Sequence, residues 1–261
     1  MTVSSSAHIE PFGTGEERAG GQRMVTRREF RSIDTGVTMS ARDRPGQGAQ
    51  EDIVVPDAQD QSRFYPYPAE LTFEELTTSG LVVHLRPIRT DDAPRLVEFH
   101  RQLSRQSVYR RFFFMHTDLT AAEVEAFTCV DYHTRMAFIA EMDETLIAVG
   151  RYDLSPGTTE AEVAFVVADH YQHHGIATLL LERLADVAWT NGIESFVALT
   201  LVENRSMLEV FRDSGFPIST ETDRGTLDVR FPIEPIPTYL SARASRHSRI
   251  HLKVHSDPSL R

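Results

Sequence analysis

Cysteine is almost missing from the chain: Cys129 is the single one in 261 residues. One thiol excludes an internal disulfide framework and a cysteine-based zinc site, fits a reducing compartment, and reads as a small buried hydrophobe. Lysine is equally scarce, with Lys253 alone among 27 basic residues. No apolar run reaches membrane-spanning length, and the N-terminus lacks the apolar block of a secretory signal. The expected location is therefore the cytoplasm.

What is present is an ordinary globular composition with an uneven charge. Hydrophobic residues make up 41%, enough for one sizeable core. The formal charge of −11 is concentrated in the middle of the chain, whereas residues 237–261 are basic. An acidic domain disfavours broad nucleic-acid binding and attracts cationic substrates, although the same charge also serves solubility.

Residues 1–69 are rich in Gly, Ser, Arg, Asp, Glu and Gln without a sustained hydrophobic period. They read as a disordered segment ending in an extended lead-in at Tyr65-Pro66-Tyr67-Pro68. A folded domain is expected over 70–236. Leu81 to Arg86 reads as a strand stopped by Pro87, Thr90-Asp91-Asp92-Ala93-Pro94 as a helix start, and Thr120-Ala121-Ala122-Glu123 as a capping box. Met136 to Glu141 and Leu146 to Leu154 read as strands joined at Asp143-Glu144, and Thr226 to Phe231 alternates as a closing strand. From 237 onward serines, arginines and histidines suggest a mobile basic tail. His247, His251 and His255 recur there at four-residue steps, but no capping or apolar stripe supports a metal site, and none is expected.

The chemistry concentrates between Glu160 and Phe216. Glu162 to Ala168 is apolar and β-branched, as in a largely buried strand, while Ile176, Leu179, Leu180, Leu184 and Val187 recur at helical spacing. Between them, Gln172-His173-His174-Gly175-Ile176-Ala177 is a small-residue turn that opens a helix directly off a strand. Unpaired N–H groups at such a helix start make a ready anion site. Taken alone, the pattern also fits an ordinary strand-to-helix connection.

The larger constellation adds the Asn191-Gly192 stop, a strand from Ser195 to Val202, Glu203-Asn204-Arg205-Ser206-Met207 opening a second helix, and an end at Ser214-Gly215-Phe216. It resembles the acetyl-CoA-binding half of the GNAT N-acetyltransferases. Upstream, Leu85-Arg86-Pro87-Ile88-Arg89, Tyr109-Arg110-Arg111-Phe112-Phe113 and Val130-Asp131-Tyr132 are similar to the catalytic domain of bacterial Pat-type protein lysine acetyltransferases. The resemblance implies a mixed α/β fold of three α/β/α layers, whose mostly antiparallel sheet splays into an acetyl-CoA cleft. It implies acetyl-CoA as co-substrate and a protein lysine or small amine as acceptor, while the acidic charge and the missing apolar run argue against a nucleic-acid or membrane partner.

The resemblance also assigns roles. Backbone N–H groups of Gln172, His173, His174, Gly175, Ile176, Ala177 and Thr178 would hold the pyrophosphate. The pantetheine arm would pair with the edge of Phe165, Val166, Val167 and Ala168, where an N–H would stabilise the oxyanion. Asn204 and Met207 would approach from the next strand's end. Glu162 matches the glutamate that Pat-type enzymes use as general base, against the plain reading of a strand-end carboxylate facing solvent. Glu160 shares its side of the strand, and Glu203 is the second choice; His170, His173 and His174 are titratable but belong to the turn.

Many superfamily members place a thiolate-protonating tyrosine seven residues after Asn204, where this chain has Phe211. Pat-like domains also tend to lack it. Several Pat-type proteins carry an added ligand-binding domain, which nothing here resembles. Two alternatives stay open beside protein lysine acetylation: acetylation of a small amine, and a catalytically silent acyl-CoA sensor.

Overall fold

A hairpin of β3 (Arg135–Met142) and β4 (Thr145–Leu154) forms the middle of the sheet. Its turn residues Asp143 and Glu144 are both left-handed, with φ of 47° and 61°, which matches the twist of the flanking strands. The remaining strands are β1 (Phe73–Leu76), β2 (Val82–Pro87), β5 (Glu160–Val167), β6 (Ser195–Leu201), β7 (Ser219–Asp223) and β8 (Thr226–Pro232). In this computed structural model, which describes residues 66–256, they order as β1-β2-β3-β4-β5-β6-β8-β7. The disorder expected of residues 1–65 lies outside the described residues.

Every neighbouring pair is antiparallel except β5 and β6. That parallel pair is joined only at Glu160↔Ser195, Ala161↔Phe196 and Glu162↔Val197. Past this rung the strands have no ladder between them, so the sheet opens toward their C-terminal ends.

Six helices cover the two faces: α1 (Ala93–Gln102), α2 (Arg105–Phe112), α3 (Ala121–Thr128), α4 (Ile176–Thr190), α5 (Arg205–Asp213) and α6 (Pro237–Ser256). Side chains alternate across the strands. On one face, Phe138, Ala148, Val163, Phe165, Phe196 and Phe231 bury against Leu180, Leu184 and Phe211 of α4 and α5. On the other, Ala137, Ile139 and Val149 bury against Leu96 and Phe99 of α1 and Val108 of α2.

Local chemistry explains the helix boundaries. Thr120 Oγ1 accepts from Glu123 N at 3.2 Å while Glu123 Oε2 accepts from Thr120 N at 2.8 Å, the reciprocal box expected there. Gly192, at φ 80°, supplies the left-handed residue that ends α4. Asp92, at the start of α1, accepts from Arg89 N at 2.8 Å and, being buried, also receives the Arg86 fork at 2.8 and 2.6 Å.

Three segments depart from the sequence reading. The mobile tail expected from residue 237 is replaced at Pro237–Ser256 by α6. The helix docks through few groups: Tyr239 stacks on Phe216 at 4.1 Å, Arg243 forks onto Asp186 at 2.8 and 2.9 Å, and Arg246 Nε reaches Glu182 at 2.8 Å. An anchor of one aromatic and two arginines leaves no apolar stripe to read. Tyr67, in the supposed lead-in, is held edge-on against Tyr132 at 5.9 Å, beneath the Arg89 guanidinium at 4.1 Å. Between the two expected helices, Arg105–Phe112 forms a further helix, α2. The side chains of His251 and His255 lie outside the described residues.

Candidate active site

The turn before α4 is built by positive-φ backbone. His173 and Gly175 have φ of 64° and 88°, and Gly175 caps α4 without any side-chain hydrogen bond. The first α4 amide with an intrahelical acceptor is Leu179, bound to Gly175 O at 3.1 Å. The N–H groups of Ile176, Ala177 and Thr178 are therefore open at the positive end of the helix. A Cβ on Gly175 would come within 2.6 Å of Thr78 Oγ1, because the β1–β2 turn presses on this segment. His174 Nδ1 also lies 2.9 Å from Ser79 Oγ. That wall, formed by a short turn far away in sequence, left no signal in the sequence reading.

Not every residue assigned to the cofactor offers its side chain. Gln172 is committed internally: its amide donates to Val167 O at 3.1 Å and Ser107 Oγ at 3.0 Å, and its own N–H reaches Asp169 O at 3.4 Å. Phe165 and Ile176 are core residues, so only their backbone is accessible. Asn204 is buried and caps α5, accepting from Met207 N at 3.4 Å. Val166, Val167, Ala177 and Thr178 are half-buried along the opening, and His173 is exposed. Phe211 sits between Phe165 and Phe231, with ring centroids 6.4 and 5.5 Å away.

Glu162 stands at the last rung before β5 and β6 part. It lies on the sheet face under α2, whose start is pinned when Asp169 accepts from Ser104 N, Ser104 Oγ and Ser107 Oγ at 2.9, 2.6 and 2.9 Å. Across the ladder from Glu162 is Asp153, and from Ala164 is Arg151. Glu162 is exposed at the mouth of the cleft yet crowded by surrounding protein. Burial therefore raises its carboxyl pKa, opposed by the nearby charges of Arg111 and Arg151 and reinforced by Asp153.

The neighbouring acids differ. Burial alone would raise Asp153, but Arg151 and Arg135, which donate to it at 2.9 and 3.0 Å, hold it below the ordinary carboxylate range. Glu160 is paired with Arg230 Nη1 at 2.7 Å, which removes it as a free base. Glu203 is exposed on the turn before α5. Among the described residues, no group of three His, Cys, Asp or Glu side chains is arranged to hold a metal ion, and no helix is long and apolar enough to cross a membrane.

An open-ended parallel strand pair, an amide-lined helix start and an unpaired carboxylate at the fork suit transfer from a thioester carrying a long phosphorylated arm. Residues 83–217 match the family model described as an acetyltransferase (GNAT) domain. The chain is a GNAT acetyltransferase. The matched range holds the fork, the turn and Glu162, and the family uses acetyl-CoA as co-substrate. The GNAT domain of a Streptomyces lividans PAT is 37% identical, with a TM-score of 0.60 over 64% of this chain and 99% of that one. An acetyltransferase of Pseudomonas aeruginosa is 28% identical over 156 residues, 58% of this chain and 84% of its own length. The acetyltransferase Pat of Mycolicibacterium smegmatis is 28% identical over 163 residues, 61% of this chain but 48% of its own length. The GNAT chain therefore spans about half of that Pat relative.

Proposed function

We propose that the protein transfers the acetyl group of acetyl-CoA to lysine ε-amino groups of proteins, by direct attack with Glu162 as general base. The observation that carries this reading is the unpaired Glu162 at the fork between β5 and β6. A free lysine, with pKa near ~10.4, must lose a proton before it attacks. A carboxylate whose pKa is raised by burial takes that proton more readily than an ordinary one. The amine nitrogen then bonds to the thioester carbon, the carbon–sulfur bond breaks, and its electron pair leaves on the CoA sulfur.

In this reading the amides from His173 to Thr178 hold the pyrophosphate, and the open β5 edge from Phe165 to Ala168 receives the pantetheine arm and stabilises the oxyanion. With Phe211 in the core, the thiolate leaves without a side-chain acid at that position. The Pat-named relatives and the acidic middle of the chain support a polypeptide lysine as acceptor. Thiol release from acetyl-CoA, measured with lysine peptides against free polyamines and amino acids, tests it. Peptides are expected to lead by at least roughly tenfold in kcat/KM, a difference of about 1.4 kcal/mol. A free small amine that equals them would make this a small-amine enzyme, and acetyl-CoA binding without transfer to any amine would leave only the sensor reading.

A further inference from the structure

Next to Glu162 the face under α1, α2 and α3 holds a small pocket of about 40 Å³ that opens to solvent. Ala137, Val149, Ala164, Val166, Phe112 and Phe127 supply apolar walls, and the polar lining groups are Arg111, Arg151 and His100, whose imidazole is pushed below its usual pKa by burial. That is room for a few water-sized groups, the scale of a short acyl end. Ala164 and Val166 belong to the β5 stretch beside the expected path of the pantetheine arm. An acyl chain longer than acetyl therefore has a route off the strand, over the small Ala164, into this space.

The two arginines are not equivalent. Arg151 is spoken for: Nε and Nη2 each donate to Asp153 at 2.9 Å, and its guanidinium covers the Phe127 ring at 4.7 Å. Arg135 uses the same Asp153, at 3.0 Å. Arg111 has no ion pair or hydrogen bond among the described residues; its recorded contact is the Phe112 ring at 5.0 Å. Arg111 is half-buried, and desolvation, with Arg151 adding repulsion, pulls its pKa down to about 10. The group is still cationic at neutral pH. Three arginines thus share this end of the face with two carboxylates, Asp153 and Glu162, and one positive charge is left over. A half-buried guanidinium without an ion pair suits a carboxylate in fork geometry.

We propose that the enzyme also accepts acyl-CoA donors whose acyl chain ends in a carboxylate, of the succinyl class, with Arg111 holding that carboxylate at the end of the apolar pocket. This rests on the acyl-CoA reading of the β5 edge. The chemistry is that of acetyl transfer: the lysine nitrogen bonds to the thioester carbon, the carbon–sulfur bond breaks with its electron pair on sulfur, and the amine proton passes to Glu162. The product is an N-succinyl-lysine with its charge reversed.

The test is calorimetric binding of acetyl-CoA, butyryl-CoA and succinyl-CoA, which needs no acceptor. Butyryl has the same four-carbon length as succinyl without the charge, so the ratio of their affinities isolates the carboxylate. Wild type is expected to bind succinyl-CoA at least tenfold more tightly than butyryl-CoA. Arg111→Met should abolish that ratio and Arg111→Lys should keep part of it; Ala164→Leu, which narrows the pocket mouth, should weaken both four-carbon donors relative to acetyl-CoA. Succinyl-CoA binding no better than butyryl-CoA in wild type, or a ratio unmoved by Arg111→Met, would overturn the proposal. If acetyl-CoA binds in either case, only the Arg111 assignment falls; if no CoA thioester binds, the acetyl-CoA reading falls with it.

Discussion

Asp153 and Glu162 face each other across the β4–β5 ladder, on the same side of the sheet, and their carboxyls are driven in opposite directions. Asp153 is held ionised by two arginines against the effect of burial, while burial raises Glu162, which has no ion pair among the described residues. Separating two acids in this way lets one act as a fixed countercharge and the other as a base. Asp153→Asn releases Arg151 and Arg135 toward Glu162, so the Glu162 pKa is expected to fall and the acidic limb of the rate profile to move to lower pH. A limb that moves upward would contradict the arrangement.

The same pairing sets a stability window. Asp153 binds its proton more weakly folded than unfolded, so its contribution is present above the ordinary aspartate pKa near ~3.9 and is lost as pH falls through the folded value. At neutral pH, Asp153→Asn is expected to cost about 1–3 kcal/mol, reduced from a fully buried pair because a third of the side chain is solvated. Chemical denaturation at pH 7 and pH 3 should show the difference between wild type and variant shrinking at the lower pH.

Arg111 acts on Glu162 from the opposite wall. Its charge lowers the Glu162 pKa, so Arg111→Met is expected to shift the acidic limb of acetyl transfer upward, with Arg111→Lys intermediate. An unmoved limb in Arg111→Met would remove Arg111 from the electrostatic surroundings of Glu162.

Gly175 has a steric and a conformational reason to be glycine. Its φ is 88°, and a Cβ would stand 2.6 Å from Thr78 Oγ1. Gly175→Ala is expected to cost about 1–2 kcal/mol from the left-handed backbone alone and to displace the open amides of α4. Acetyl-CoA affinity should fall by roughly tenfold or more, since about 1.4 kcal/mol is a factor of ten. Unchanged affinity in calorimetry would mean that this turn does not hold the phosphates.

The last described helix is part of the fold. Glu182 is 3% exposed and its partners are Arg246 and Arg243 of α6. Arg246→Ala strands much of that buried charge and is expected to cost about 3–5 kcal/mol, whereas pairing it with Glu182→Gln should recover part of the loss. Thermal melts of the two variants decide this; equal losses would mean the arginine serves only as a packing element.

The strand, turn and helix around Gly175 were legible because hydrophobic period, a left-handed glycine and the Asn191-Gly192 stop all agree locally. The capping box at Thr120 was legible for the same reason. Edge strands were not: β7 is Ser219–Asp223, exposed at every position, and β1 is four residues long, so neither shows an apolar alternation. Helix α6 stayed hidden because its docking depends on Tyr239 finding Phe216 and on arginines finding Glu182 and Asp186, acids far away in sequence. Within the candidate site, the place of Glu162 at the strand fork followed from its strand and its family likeness. The places of its neighbours did not, because the ladder brings Asp153 to it, while Arg111 arrives on α2 from far earlier in the chain.

The most direct test of the account is the pH profile of kcat/KM for acetylation of a lysine peptide, wild type against Glu162→Gln. The account predicts a one-proton acidic limb in wild type lying above the ordinary carboxylate range. In the variant that limb should vanish, with a rate lower by roughly 10²–10⁴-fold and a fold as stable as wild type. Full wild-type activity of Glu162→Gln across the pH range would contradict the account at its centre.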